Sequence, residues 1–313
     1  MGFKRSQVRI LSSRPFLFAK ELLLMKIGFI GLGVMGKAMA RNLKKAGFDV
    51  SIYARNPQKV QDLVSEGFKL YGTIKELIAV TEIVITIVGF PSDVREVYLD
   101  EDKIINNAEP GTIVIDMTTS SPTLAQEIHQ KAKERNIDSL DCPVTGGDLG
   151  AKNGTLTIFV GGEFAVYEKV LPVLKAMGKT IAYVGGPGSG QHAKLANQIA
   201  IAGVISGVAE TIAYARANGL DPKSLVEIWA SGSASSWQMK NMAPRALEGD
   251  MDPGFFIKHF IKDMNLALSE SENKGLELRM LKTVRNMYQE MAERGYQDFG
   301  TQAIIDYYKK NNS

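Results

Sequence analysis

Lys26-Ile-Gly-Phe-Ile-Gly-Leu-Gly-Val-Met-Gly-Lys-Ala-Met-Ala-Arg-Asn-Leu43 decides the fold of this chain. A short apolar run, Ile27 to Ile30, ends in Gly31-x-Gly33-x-x-Gly36 and passes directly into a helical pattern. Strand, glycines and helix in that order are the context in which such a loop binds a dinucleotide pyrophosphate. Gly31 permits the tight turn, and Gly33 lets the backbone approach phosphate without a Cβ in the way. Gly36 allows the helix to pack closely on the strand. The helix start then offers free N–H groups and a positive dipole end. Cofactor contact is expected at Gly31, Leu32, Gly33, Val34, Met35 and Gly36. A glycine-rich turn without a ligand is the plainer alternative.

Outward from this loop the pattern repeats. Asp49–Tyr53 reads as a second strand, and Ile83–Val88 as a β-branched buried strand whose end, Val88-Gly89, is expected beside the cofactor. Thr112–Asp116 and Ile137–Asp141 follow, with helical segments between, and Leu156–Val160 and Thr180–Val184 extend the series. The alternation predicts an α/β fold: a parallel, doubly wound Rossmann domain over residues 25–187. Gly185-Gly-Pro-Gly-Ser-Gly190 breaks it, and β patterning stops there. Gln191 to Asn218 reads as one long interdomain helix, apolar enough all round to be largely buried. Further helices at 221–231 and about 257–274, 279–294 and 300–310 make residues 188–313 an all-α domain for substrate binding and dimerisation.

At 313 residues and 45% hydrophobic content the chain has room for two ordinary domains. A single cysteine, Cys142, excludes an internal disulfide and suits a reducing compartment. Residues 1–24 hold five cations against Glu21, so of the whole chain's +3 they carry +4 and residues 25–313 carry −1. No basic bias remains to suggest nucleic acid. No apolar run is expected to reach the roughly 18 residues of a membrane span, since Lys20, Glu21 and Lys26 interrupt the only candidate, and no metal-ligand spacing occurs. The segment 1–24 is either a targeting peptide or the product of a start placed too far upstream. Val8-Arg9-Ile10 can be encoded by GTTCGAATC, which matches a transfer-RNA T-arm, so Met25 is the expected start and the cytoplasm the expected location.

An acidic residue usually ends the second Rossmann strand and bonds the ribose 2′-OH of NAD. Here that place is Ala54, followed by Arg55-Asn56. Loss of the carboxylate and gain of a guanidinium favour NADP over NAD; the alternative makes Arg55 a solvated loop cation.

Four further stretches stand in a telling order: Asp116-Met-Thr-Thr-Ser-Ser-Pro122, Asp141-Cys-Pro-Val-Thr-Gly-Gly147, Gly188-Ser-Gly-Gln-His-Ala-Lys-Leu-Ala-Asn-Gln198 and Ile261-Lys-Asp-Met-Asn-Leu-Ala-Leu268. From Met25 onward the chain resembles the β-hydroxyacid dehydrogenase family, which includes 3-hydroxyisobutyrate dehydrogenase, tartronate semialdehyde reductase and glyoxylate/succinic semialdehyde reductases. The resemblance implies hydride transfer between a nicotinamide cofactor and a small 3-hydroxy or 3-oxo acid, in a homodimer or homotetramer. It implies Lys194 as acid/base; a lysine at a partly buried helix start can have its pKa lowered into a useful range. Thr145, Gly146 and Gly147 would hold the substrate carboxylate, with Thr145 where the family more often has Ser. Asn197 or Gln198 would orient the substrate, in an Asn-Gln pair where other members show Asn-Asn. Thr119 and Lys262 would reach the cofactor, while Thr118-Thr119 could instead cap the following helix. Semialdehyde or glyoxylate reduction is the nearest alternative, and a non-catalytic dinucleotide-binding scaffold the alternative of another class.

The histidines carry no dyad in this reading. His192 points away from Lys194, His129 is expected on an exposed helix face, and His259 is expected to be packed beside Phe260. Trp237 lies in a connecting loop, either shaping the pocket or packing. Asp263 is expected to hold local structure.

Overall fold

The computed structural model describes residues 25–308, so the expectations for residues 1–24 and for 309–313 lie outside the described residues. Strands β1 (Lys26–Ile30), β2 (Asp49–Tyr53), β3 (Lys69–Tyr71), β4 (Ile83–Thr86), β5 (Ile113–Asp116) and β6 (Asp138–Asp141) pair in parallel in the order β3-β2-β1-β4-β5-β6. That is the Rossmann strand order, with its reversal between β1 and β4. One apolar layer, with Ile27, Phe29, Met39 and Leu43, covers one face. A second, with Val84, Tyr98, Val114 and Leu124, covers the other. Buried β-branched residues on both faces are what a doubly wound sheet requires.

Beyond β6 the sheet departs from a purely parallel pattern. β7 (Val144–Thr145) and β8 (Leu156–Gly162) pair antiparallel, and β8 runs antiparallel to β6. A parallel crossover needs a dozen or more residues. Between Asp141 and Leu156 the chain spends its length on β7 and the seven-residue helix Gly147–Asn153, so it returns reversed. β9 (Gly178–Gly185) then pairs parallel to β8.

Helix Ser189–Ala217 leaves the sheet and enters a separate helical core containing Ile205, Ile212, Phe260, Met264 and Tyr288. It is long and apolar enough to span a membrane by length and composition, which corrects the expectation that no such run exists. Leu195, Ala202, Ile205, Ala209 and Ile212 pack it into the core instead. It is not buried all round, however, because Ala196, Ala200, Val204, Gly207, Glu210 and Tyr214 form an exposed stripe. Helices Pro222–Ser231, Ile257–Glu272 and Arg279–Met291 complete the domain. The last segment is a 3-10 helix, Thr301–Asp306, and the one before it ends in a π-turn at 292–296 whose Gly295 has φ 94°. Ala243–Leu247 adds a short helix that Pro244 disguises in the sequence by occupying one of its first positions.

Candidate functional site

The glycine loop divides its labour between packing and access. A Cβ on Gly31, whose φ is +96°, would come 2.0 Å from Ile87 O, and one on Gly36 would come 1.9 Å from Gly31 O. Both positions therefore admit only glycine. A Cβ on Gly33 would meet nothing within 4 Å, so its backbone faces open space. Gly33 and Val34 are exposed, Leu32 and Met35 half-buried, and the helix Val34–Lys45 starts with no side-chain cap and no acid in its first turn. Uncapped N–H groups beside a glycine cradle fit the pyrophosphate of a dinucleotide.

Farther along the same sheet edge, Val88 N–H donates to Thr118 Oγ1 at 2.9 Å, so Thr118 braces the loop after β4. Ser121, not Thr118 or Thr119, caps the helix Pro122–Lys133. Gly89 lies against Asp93 and His259, which is wedged between the Phe90 and Phe256 rings rather than beside Phe260 alone. Arg55 is 58% exposed and donates to Asp93 at 2.8 Å, with Glu96 at 3.6 Å. That carboxylate hydrogen bond raises the Arg55 pKa. Asn56 uses its side chain to cap the turn Pro57–Val60. Thus Arg55 already has acidic partners, and Asn56 has a structural task.

The second cluster forms where the helical domain meets the sheet. Lys194 is 6% exposed, in the second turn of Ser189–Ala217, and its Nζ donates to Gln198 Oε1 at 2.9 Å. Gln198 Nε2 donates to Asp263 Oδ2 at 2.7 Å. A carboxylate only accepts here, so the amide is oriented with its oxygen toward Lys194. Burial lowers the Lys194 pKa to about 8; the Asp263 carboxylate pulls it up and the Lys262 ammonium pushes it down. Asn197 Nδ2 donates to Gln198 Oε1 at 3.0 Å and reaches Thr145 Oγ1 at 3.5 Å. The two amides therefore divide the work: Gln198 touches the lysine, and Asn197 faces the threonine.

Thr145 ends β7, and Gly146 and Gly147 follow with φ of 129° and 64°, conformations that favour glycine. Lys262 Nζ lies 3.0 Å from Asp263 Oδ1 and donates to Thr119 O across the domain boundary. With side chains 11% and 0% exposed, this is a buried pair and not a solvated one. The expected residues Lys194, Gln198, Asn197, Thr145, Lys262 and Thr119 thus come together at one junction. An open recess lined by Phe90, Lys258, Ile261, Lys262, Asn265 and Leu266 lies beside it.

Three structural participants escape the sequence reading. Asp116 Oδ1 accepts from Thr86 Oγ1 (2.9 Å) and Thr118 N–H (3.1 Å). Asp141 accepts from Gly188 and Gln191 N–H, each at 2.8 Å, and so holds the start of the long helix. Burial raises both carboxylates to about 6 despite these hydrogen bonds. Gln191, fully buried, spans the two domains. Asp116 and Asp141 close β5 and β6 at the sheet edge where ligands of open α/β sheets bind, which is the signal the sequence offered. The histidines stay outside the cluster: His192 is exposed, and His129 is half-buried against Ser139 at 3.0 Å, correcting its expected exposure. Trp237 is 58% exposed on the helical domain.

Comparisons with known proteins cover both parts of the chain. The family model for the NAD-binding domain of 6-phosphogluconate dehydrogenase matches residues 26–185, and that for the NAD-binding region of NADP-dependent 3-hydroxyisobutyrate dehydrogenase matches 188–308. Oxidoreductase YkwC of Bacillus subtilis is 47% identical over 91% of this chain and 99% of its own length. The NAD-dependent L-serine dehydrogenase of Pseudomonas aeruginosa is 35% identical (87% and 93% covered). The 2-hydroxy-3-oxopropionate reductase of Escherichia coli is 34% identical (90% and 96%). Among solved structures, Mycobacterium tuberculosis 3-hydroxyisobutyrate dehydrogenase with L-serine superposes with a TM-score of 0.82 at 29% identity, over 90% of this chain and 98% of that one.

Proposed function

This chain belongs to the family of NAD(P)-dependent β-hydroxyacid dehydrogenases, and from that membership we propose that it interconverts a small 3-hydroxy acid and its 3-oxo acid or semialdehyde, using NADP, with Lys194 as acid/base. The observation that carries the reading is Lys194 itself: buried, at the junction of the domains, with a pKa lowered by burial to about 8. The nicotinamide, when bound, supplies or accepts the hydride. Gly31 to Gly36 would hold its phosphates, and Thr119 and Lys262 would lie by its reactive end.

The residues of the chain handle everything else. In the reducing direction the Lys194 ammonium donates a proton to the carbonyl oxygen as negative charge develops there; in the oxidising direction the neutral amine takes it back. Gln198, held by Asp263, aims one N–H of Lys194 at itself and leaves the others for substrate. The Thr145 hydroxyl and the Gly146 and Gly147 backbone bind the carboxylate without a fixed cation, and Asn197 orients the substrate between them. The exposed stripe on Ser189–Ala217 supports a homodimer or homotetramer.

Lys194→Ala should lower kcat by about 10²- to 10⁴-fold while NADPH still binds with near-parental Kd. The panel is tartronate, methylmalonate and succinic semialdehydes and glyoxylate, each with NADPH and NADH. Retained turnover in Lys194→Ala would reject the scheme. The parent's profile also has a defined sign. Reduction needs the ammonium, so kcat/KM should fall as pH rises through about 8, and oxidation should rise over the same range.

A further inference from the structure

One side chain holds both peptide groups that flank Thr119. Gln191 Nε2 donates to Thr118 O, and Ser120 N–H donates to Gln191 Oε1, each at 2.8 Å. The amide cannot turn over, because a flip would set donor against donor and acceptor against acceptor. Gln191 is itself placed by Asp141, whose two oxygens take the Gly188 and Gln191 N–H groups and tie the first helical turn to the end of β6. The fit is close: a Cβ on Gly190 would fall 2.4 Å from Asp141 O, and one on Gly161 would fall 2.5 Å from Asp141 Oδ1. Lys194 follows Gln191 by three residues and shares its helix face. The helix that carries the lysine therefore also grips the loop that carries Thr119.

We propose that Gln191 is a positioning residue for hydride transfer, fixing the Thr118–Ser120 loop at a set distance from Lys194. This rests on the function proposed above, in which Thr119 borders the nicotinamide and Lys194 the substrate oxygen. Hydride and proton transfer then occur at neighbouring atoms held by one rigid helical turn. A shift of about 1 Å between such groups can cost about 10²-fold in rate. Lys262, which donates to Thr119 O from the other domain, supports the loop but cannot replace the paired lock on its two neighbours.

The test uses the full chain with Gln191→Met, which keeps length and removes both hydrogen bonds, and Gln191→Glu, which keeps an acceptor for Ser120 N–H. Gln191→Met should speed exchange of the Ser120 amide by about tenfold or more and leave NADPH Kd within about threefold. With succinic or tartronate semialdehyde it should lower kcat by about 10- to 100-fold at little cost in KM. The primary isotope effect from deuterated NADPH should rise, because the hydride step becomes slower. Gln191→Glu should fall between, and it carries the same comparison if the methionine variant does not fold. Unchanged Ser120 exchange, or kcat within twofold of the parent, overturns the proposal. A parent that binds NADPH but reduces none of the panel overturns the assigned reaction instead.

Discussion

The glycine turn after β1 and the domain junction are both built on glycines, but for different reasons. In the turn, Gly31 clears space for Ile87 O, just past the end of β4, Gly36 clears space for Gly31 O, and Gly33 leaves a side open. At the junction, Gly161 and Gly190 clear space for Asp141, which belongs to a different strand. The first device lets the ends of β1 and β4 meet and leaves one backbone position open. The second lets the carboxylate at the end of β6 reach the start of the long helix. Glycines that look alike in a sequence thus answer to different neighbours, backbone carbonyls in the turn and a buried aspartate at the junction.

Two substitutions within the turn set the strongest contrast. Gly31→Ala places a Cβ on backbone at φ +96° and should destabilise the domain by at least about 3 kcal/mol, seen as a large drop in Tm or loss of soluble protein. Gly33→Ala meets no atom of the protein, so its Tm should stay near the parent's. Its NADPH Kd should nonetheless rise about tenfold or more, because the methyl enters the space the phosphates need. Equal effects of the two substitutions on Tm would erase the division between packing and access.

This division explains how much of the molecule was legible. The glycine turn, the buried strand Ile83–Thr86 and the break at Gly185 to Gly190 are set by neighbours in sequence, and they read correctly. The reversal of β8 did not, because it depends on how much chain β7 and the helix Gly147–Asn153 consume. Lys194, Asn197 and Gln198 could be seen to share a face from helical spacing alone. That Gln198, rather than Asn197, meets the lysine depends on Asp263, which lies 65 residues away. Gln191 was invisible for the same reason, since its partners Thr118 and Ser120 are 73 and 71 residues distant.

The junction can be stressed through its carboxylates. Asp141 and Asp116 titrate near 6 in the folded chain, above the ordinary aspartate value near 3.8, because burial outweighs their hydrogen bonds. A raised carboxylate means the folded state binds more protons than the unfolded one between those values. Stability should therefore fall as pH rises from about 4 to above 6, by up to about 3 kcal/mol for each group. Asp141→Asn should flatten that part of the Tm-against-pH curve by about half while losing one of the two N–H contacts at the helix start. A slope that is unchanged in Asp141→Asn would show that the junction carboxylate does not govern it.

The smallest expected effect lies at Arg55, back on the cofactor side. Its guanidinium is exposed and already shared with Asp93 and Glu96, so it has less to offer a 2′-phosphate than a free arginine would. Exposed ion pairs contribute about 0–1 kcal/mol, and a new phosphate contact must first displace them. Arg55→Ala should therefore raise NADPH Kd only about three- to tenfold, with NADH Kd unchanged. Glu96→Gln removes one competitor without touching the fold and should tighten NADPH by a similar or smaller factor. Opposite signs in these two variants, read by cofactor fluorescence titration, would place Arg55 on the 2′-phosphate and set Glu96 as the residue that tempers the preference. Matching losses for NADPH and NADH in Arg55→Ala would instead make Arg55 a brace for the loop between β2 and Pro57, held by Asp93 for structure alone.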